Sequence, residues 1–254
     1  MKKILIRIVL VVAALVVLVG IVVVIFLGQI VKKGVENAGP MITKVDVKLD
    51  KASISLLGRA QLKGLFVGNP PGCKTDSAIK VGEISVSLKP FSVLSDKIMV
   101  ESVKVVSPEI TIEGGLKDNN LTKILDNVNA AAGGSDSTAK KTDEKKSGKK
   151  IQVADLTITG AKVHANMLLS GGKTLTVPLP DIHLTNLGAG SDGLTPAELT
   201  KKVMDQLMGE VVPALTKGVA NVGKEALDLG KGAGEEAKKS VDKVTGGLKG
   251  LFKK

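Results

Sequence analysis

Residues 45–72 read VDVKLDKASISLLGRAQLKGLFVGNPPG. Val45, Val47 and Leu49 alternate with Asp46, Lys48 and Asp50, a period of two that marks a half-buried β-strand. Ala52, Ile54 and Leu56 carry the apolar series onward. Beyond Gly58, Ala60, Leu62 and Phe66 alternate with Arg59, Gln61 and Lys63. The run ends at Gly68-Asn69-Pro70-Pro71-Gly72, where the prolines cannot donate to a ladder. A strand pair of this kind starts a sheet with one oily face.

The chain after it continues the pattern. Ile79 and Val81, then Ile84, Val86 and Leu88, lie in two phases around Gly82, which suggests a β-bulge or a bend. Val103 and Val105 alternate with Ser102 and Lys104, and Ile110 and Ile112 follow Pro108. Leu121, Ile124, Leu125 and Val128 stand at helical spacing, with Asn119 or Asn120 as cap. Residues 133–150, GGSDSTAKKTDEKKSGKK, have the composition of a disordered charged linker. Alternation resumes with Leu156 and Ile158, then Val163, Ala165 and Met167, Leu175, Val177 and Leu179, and Ile182 and Leu184. Thr195-Pro196-Ala197-Glu198 has the capping-box form, opening a helix with Leu199, Val203, Met204 and Leu207 that Pro213 ends or kinks.

Upstream lies a different signal. Ile8 to Gly28, IVLVVAALVVLVGIVVVIFLG, carries no charge over 21 residues, and about 20 are needed to cross a bilayer core. Lys2, Lys3 and Arg7 precede it; Lys32 and Lys33 follow. The competing reading is a cleaved secretory signal, whose apolar stretch is usually about 7–15 residues and ends at an A-x-A-like site. This run is longer and its exit, GQIVKKG, lacks that site, so an uncleaved anchor is predicted. The early cations place the N-terminus in the cytoplasm and the remainder outside it.

Composition narrows the function. The net charge of +11 is concentrated in 1–7, 133–150 and 217–254, leaving the intervening chain nearly neutral. Two Arg, four Phe and no Trp or Tyr argue against nucleic-acid binding, which needs basic faces and stacking rings. One Cys and two His leave no disulfide, no cysteine-based zinc cluster and little for a catalytic triad. No catalytic residue, metal or cofactor is expected. The tail, 217–254, spaces small and apolar residues by three or four and is read either as an amphipathic helix on a bilayer surface or as a solvated tail.

Several short motifs match known sites only in part. Gly188, Gly190 and Gly193 fit G-x-G-x-x-G, but no parallel βαβ unit continues beyond them. Gly172-Lys173-Thr174 is half a phosphate loop, with Met167 where the first glycine is needed. Ser77 and Lys80 have S-x-x-K spacing on a strand pattern, where the penicillin-binding arrangement needs a helix. His164 and His183 would hold a metal only if paired strands brought them together. Cys73 reads as an incidental loop thiol.

The order of these pieces resembles the AsmA family of bacterial envelope proteins, and its short members in particular. The series is the N-terminal anchor, VDVKLDKASISLLGRAQLKGLFVGNPPG, then VGEISVSLKPFSVLSDKIMVESVKVVSPEITIE with Pro108 opening its last strand. DNNLTKIL follows, with its Asn120-Leu121 step into a helix, then IQVADLTITGAKVH and VPLPDIHLTNLG. The likeness covers roughly residues 1–210. It implies a single inner-membrane anchor and a periplasmic β-rich body shaped as an apolar groove. It also implies a part in envelope biogenesis, since long members are implicated in carrying phospholipid toward the outer membrane. About ten strands at about 4.8 Å spacing would make a sheet about 50 Å across, too short for a conduit between two membranes.

The fold expected is therefore α+β and mainly β: a transmembrane helix, a twisted antiparallel sheet or groove, short helices and a C-terminal amphipathic helix. Its parts are an anchor and stalk (1–37), a first β half (38–132), the linker (133–150), a second β half with a capping helix (151–216) and the tail (217–254). The oily face must be covered. Either an acyl chain lies on Val45, Val47, Leu49, Ile54, Leu56, Ile84, Val86, Leu88, Val103, Val105, Leu156 and Ile158, or the helices, or the two halves packed together, close these residues into a dry core. The first makes membrane lipids the partners, with other envelope proteins as further candidates; the second makes a scaffold whose C-terminal helix meets a partner or a membrane.

Overall fold

The computed structural model describes residues 2–55, 57–115, 118–133, 149–166, 174–190 and 192–229; side chains of the terminal helices are described at 10–12, 14–15, 18 and 26 onward, and up to 221. Helix α1 (Lys2–Thr43) leads into β1 (Val47–Ile54), β2 (Arg59–Gly68), β3 (Ser77–Leu88), β4 (Lys97–Val106) and β5 (Glu109–Glu113). Helix α2 (Asn120–Ala131) follows, then β6 (Lys150–Thr159), β7 (Lys162–Asn166), β8 (Thr174–Pro178), β9 (Ile182–Leu187) and helix α3 (Pro196–Leu229). Among the described residues no helix is long and apolar enough to cross a membrane.

The nine strands form one sheet, and the two predicted β halves are parts of it. The sheet is mixed, a correction to the expected antiparallel one: β4 pairs with β6 and β5 with β7 in parallel. The reason is connectivity. After β5 the chain leaves through α2 and re-enters the sheet at Lys150 opposite Lys97, so no hairpin links the halves, and parallel strands need just such a crossover.

Registers show that short strands are segments of longer ribbons. Val106 lies opposite Glu83 and Glu109 opposite Lys80, so β4 and β5 run along β3 without a slip. Val106 lies opposite Thr159 and Glu109 opposite Lys162, which joins β6 to β7 in the same way. Ile158 opposite Ile182 and Lys162 opposite Pro178 join β9 to β8. The sheet is thus six ribbons wide (β1, β2, β3, β4–β5, β6–β7, β8–β9), about 24 Å at about 4.8 Å per spacing, half the expected width.

A crease crosses all the ribbons. At it the next inward-facing apolar residue comes three positions on instead of two: Leu49 to Ala52, Leu62 to Leu65, Val81 to Ile84, Val105 to Pro108, Ile158 to Ala161, Leu179 to Ile182. These steps lie side by side in register. An odd step would ordinarily turn every later side chain to the other face. Here residues outside the extended region absorb it, with φ of +64° at Gly64, +49° at Ser107 and +63° at Gly160. Ladder bonds continue through the bend: Ser107 N–H donates to the Thr159 carbonyl (2.7 Å) and Lys162 N–H to the Pro108 carbonyl (3.0 Å). Side chains from both flanks therefore meet in one core, Ile110, Ile112 and Val163 with Leu156 and Ile158. Phe66 falls on the outer face, opposite Lys48 and Lys80, with the Lys48 ammonium 5.8 Å from its ring centroid; Leu65 and Val67 take the inner positions.

The helices cover part of the inner face. Helix α1 lies on β1, where a Cβ on Gly39 would sit 2.6 Å from Val47 Cβ, and one on Gly28 2.4 Å from the Ala52 carbonyl oxygen. Leu121, Ile124 and Val128 of α2, and Met204, Leu207, Val211 and Leu215 of α3, complete the core. Asn119 caps α2 in a capping box with Thr122. The capping box at Thr195 and Glu198 forms as the motif predicts, at 2.7 and 3.1 Å. Pro213 does not end α3, which runs on to Leu229; the carbonyl it leaves unpaired is that of Gly209, an exposed residue where water can serve instead. The predicted linker falls almost wholly, and the tail beyond Leu229 wholly, outside the described residues.

Candidate functional site

The helices pack chiefly on β1, β5 and β6–β9, so the inner face of β2, β4 and the C-terminal half of β3 is the part they leave open. Three rows of apolar side chains cross it. One runs Ala52, Leu62, Ile84, Val105, Ile158, Ile182; the next Ile54, Ala60, Val86, Val103, Leu156, Leu184. The third runs Leu88, Val100, Val153, Leu187. Each row is buried beneath α3 at β6 and only half-buried across β4 and β3 and wherever it reaches β2 and β1. The result is a trough floored by branched aliphatic residues, bounded by α1 on one side and α3 on the other. Residues 83–88 give its open part a length of about 20 Å.

The predicted lining residues divide accordingly. Val45, Val47, Leu49, Leu156 and Ile158 are enclosed by the protein's own side chains, at 1–7% exposure, and belong to the core. Ile54, Ile84, Val86, Leu88, Val103 and Val105 are half-buried on the open stretch. Leu56 lies outside the described residues. Ala60, Leu62 and Val100 share the floor and lie outside the predicted set; alternation puts Ala60 and Leu62 on the apolar face, and register sets them and Val100 beside the predicted residues.

At the trough's margin a cavity of about 330 Å³ lies between α1 and β1, lined by Gly28, Gln29, Lys32 and residues 50–54. Lys32 Nζ donates to the Asp50 carbonyl at 3.1 Å, and the Leu49 N–H donates to Glu36 Oε1 at 3.3 Å, which pins α1 to the strand. A larger cleft of about 690 Å³ follows the crease, lined by Lys48, Asp50, Lys80 and Glu109 among others; its mixed charges select no obvious ligand.

The remaining polar groups serve the scaffold. At the end of the sheet near Gly68, Asn120 Nδ2 donates to Asn69 Oδ1 (2.6 Å) and the Thr111 carbonyl (2.8 Å). Glu113 accepts from the Lys74 and Thr75 N–H groups and the Thr75 hydroxyl at 2.6–2.9 Å. Burial pushes the Glu113 carboxyl upward, but these bonds and the Lys74 charge outweigh it and hold it below the ordinary value. The Cys73 thiol is raised, by burial first and then by the Glu113 carboxylate.

His164 and His183 do not meet. His164 lies opposite Thr176, and His183 lies opposite Thr157, seven positions or about 23 Å along the ribbons. His164 Nδ1 is 3.0 Å from Thr176 Oγ1, and His183 contacts the Asp155 carboxylate. Among the described residues no group of His, Cys, Asp and Glu could hold a metal ion. Gly188 and Gly193 form a turn between β9 and α3, at φ of +71° and +68°.

Comparison with curated proteins and with solved structures returns no match. A family model described as AsmA family matches residues 1–173, from α1 through β7. That stops short of the predicted extent of the likeness, leaving out β8, β9 and α3, yet it covers well over half of the 254 residues. The chain that builds this creased sheet and its half-open apolar trough belongs to the AsmA family, an envelope-associated group.

Proposed function

We propose that this protein is a non-enzymatic, membrane-anchored envelope protein that binds lipid acyl chains in its apolar trough, either holding them or handing them on. The observation that carries the reading is the set of rows that emerge from the core beneath α3 and cross β4 and β3 half-exposed. Each methylene laid on such a surface contributes up to about 0.8 kcal/mol, and the trough offers no charge that would repel a hydrocarbon.

The anchor is the uncharged run 8–28 within the 42-residue α1. Leu10, Val11, Leu15 and Leu18 are 59–63% exposed, a surface suited to lipid rather than water. With Lys2, Lys3 and Arg7 inside, the sheet stands in the periplasm. A second reading, a scaffold with a closed core whose C-terminal helix binds a partner or the membrane surface, draws on the five lining residues already enclosed.

Mild detergent extraction followed by native mass spectrometry separates the two. Phospholipid that co-purifies with the intact chain and survives gel filtration supports the trough. Reproducible absence of lipid overturns it.

A further inference from the structure

The end of the sheet formed by the β1–β2 turn and the β3–β4 connection presents apolar side chains where polar ones are usual. Leu57 is 79% exposed, Phe91 85%, Leu94 82% and Val93 36%. The backbone beneath them is well tied. Leu88 N–H donates to the Gly58 carbonyl (2.8 Å) and Lys89 N–H to the Met99 carbonyl (2.9 Å). Ser92 Oγ accepts from Met99 N–H at 2.9 Å, and Ser95 Oγ lies 2.8 Å from both the Ser92 and the Lys97 carbonyls, its one O–H shared between them. In the turn Pro90–Leu94 and its cap the serines thus bond the backbone while the large apolar residues project outward. In water that is the reverse of the favourable arrangement.

The position of this tip follows from chain geometry. Gly39 of α1 abuts Val47 and Gly28 abuts Ala52. The helix covers eleven residues between these contacts and the strand five, about 16 Å in each case, so the two run side by side in opposite directions. β1 runs on to Ile54 and the chain reverses over residues 55–58, which carries Leu57 about 10 Å past Ala52, alongside the uncharged run that ends at Gly28. Arg59, Lys89 and Lys149 are exposed around the tip, against Asp96. Lys149 Nζ reaches the Val93 carbonyl. Cations ringing an apolar point suit the headgroups of anionic lipids.

We infer that Leu57, Phe91 and Leu94 dip into the same bilayer that holds α1, so that the trough opens directly onto the leaflet at its membrane end. This rests on the anchor reading above and adds a second point of contact. The tip fixes the sheet's tilt and places the third row, Leu88 and Val100, next to lipid.

The test uses the full chain in a Cys73→Ser background, reconstituted into phosphatidylcholine–phosphatidylglycerol vesicles. Single variants Leu57→Cys, Phe91→Cys and Leu94→Cys carry an environment-sensitive fluorophore. Leu18→Cys serves as the anchor reference and Lys74→Cys, in the loop at the opposite end, as the aqueous one. The expected result is a blue shift at the tip positions with quenching by spin-labelled lipid roughly threefold that at the Lys74 site. Quenching at the Leu18 site alone overturns the tip contact and leaves the anchor standing. Quenching at neither site overturns both. A blue shift at the tip without lipid quenching means that protein covers it, a second copy included, and also overturns the inference.

Discussion

Gly64 stands at the crease with φ +64°, and a Cβ there would lie 1.9 Å from Asp50 Oδ2 and 2.4 Å from its Cγ. Two costs fall on any replacement, the left-handed backbone and the collision. Gly64→Ala is expected to destabilise by roughly 1–3 kcal/mol, read from denaturant unfolding of the solubilised protein. Adding Asp50→Ala should relieve the collision and leave the backbone cost, so partial recovery is the expected outcome. Glu113 gives a pH signature. Its folded pKa lies below the ordinary value of about 4.3, so the stability it adds is complete above that value and lost as pH falls through the folded one. Thermal unfolding followed between pH 6 and about 3 should decline in the native chain, and Glu113→Gln should flatten part of that decline.

At the scale of the elements, period-two alternation disclosed most strands because each has one buried face. It disclosed the crease only at Gly82, where a glycine interrupts a visible series. At Ser107–Pro108 and Gly160–Ala161 the same step of three looks like the end of one strand and the start of another. At Leu49 to Ala52 it is hidden among lysines and serines. Periodicity reports faces, not neighbours, so neither the parallel pairing of β4 with β6 nor the end-to-end joining of segments was legible. Helix starts were, because a cap is local chemistry: Thr195 and Glu198 satisfy each other's N–H groups within one turn. Thr195→Ala should cost about 1 kcal/mol, seen as a lower melting midpoint with unchanged helix content at room temperature. The path of α3 through Pro213 was not legible, since its persistence depends on Met204, Leu207, Val211 and Leu215 packing on the sheet.

For the whole molecule, the sequence marked an oily face but not how much of it the helices leave bare. That depends on where α1 and α3 stand, and they cover the outer ribbons while β2, β3 and β4 remain between them. Val86 lies in the middle of this opening, flanked by Ala60 and Val103. Val86→Asp should sharply reduce bound phospholipid per chain, because an ionised carboxylate on the floor excludes hydrocarbon. Lys146→Ala, in the linker, should leave lipid content and stability unchanged. Equal lipid content in the two variants would mean that the floor is not where lipid sits.

The parallel pairing of β4 with β6 and β5 with β7 has a practical consequence. No hairpin crosses that seam; outside the ladder itself, the stretch from Gly133 to Lys149 is the covalent tie between its sides. A nick there removes no registered pair, so two separately encoded polypeptides, divided at about Lys141, should recombine into a working protein. Co-purification of a tagged N-terminal piece with its untagged complement would show that the ladder and the packing of α2 on α3 hold the two sides together without the covalent tie.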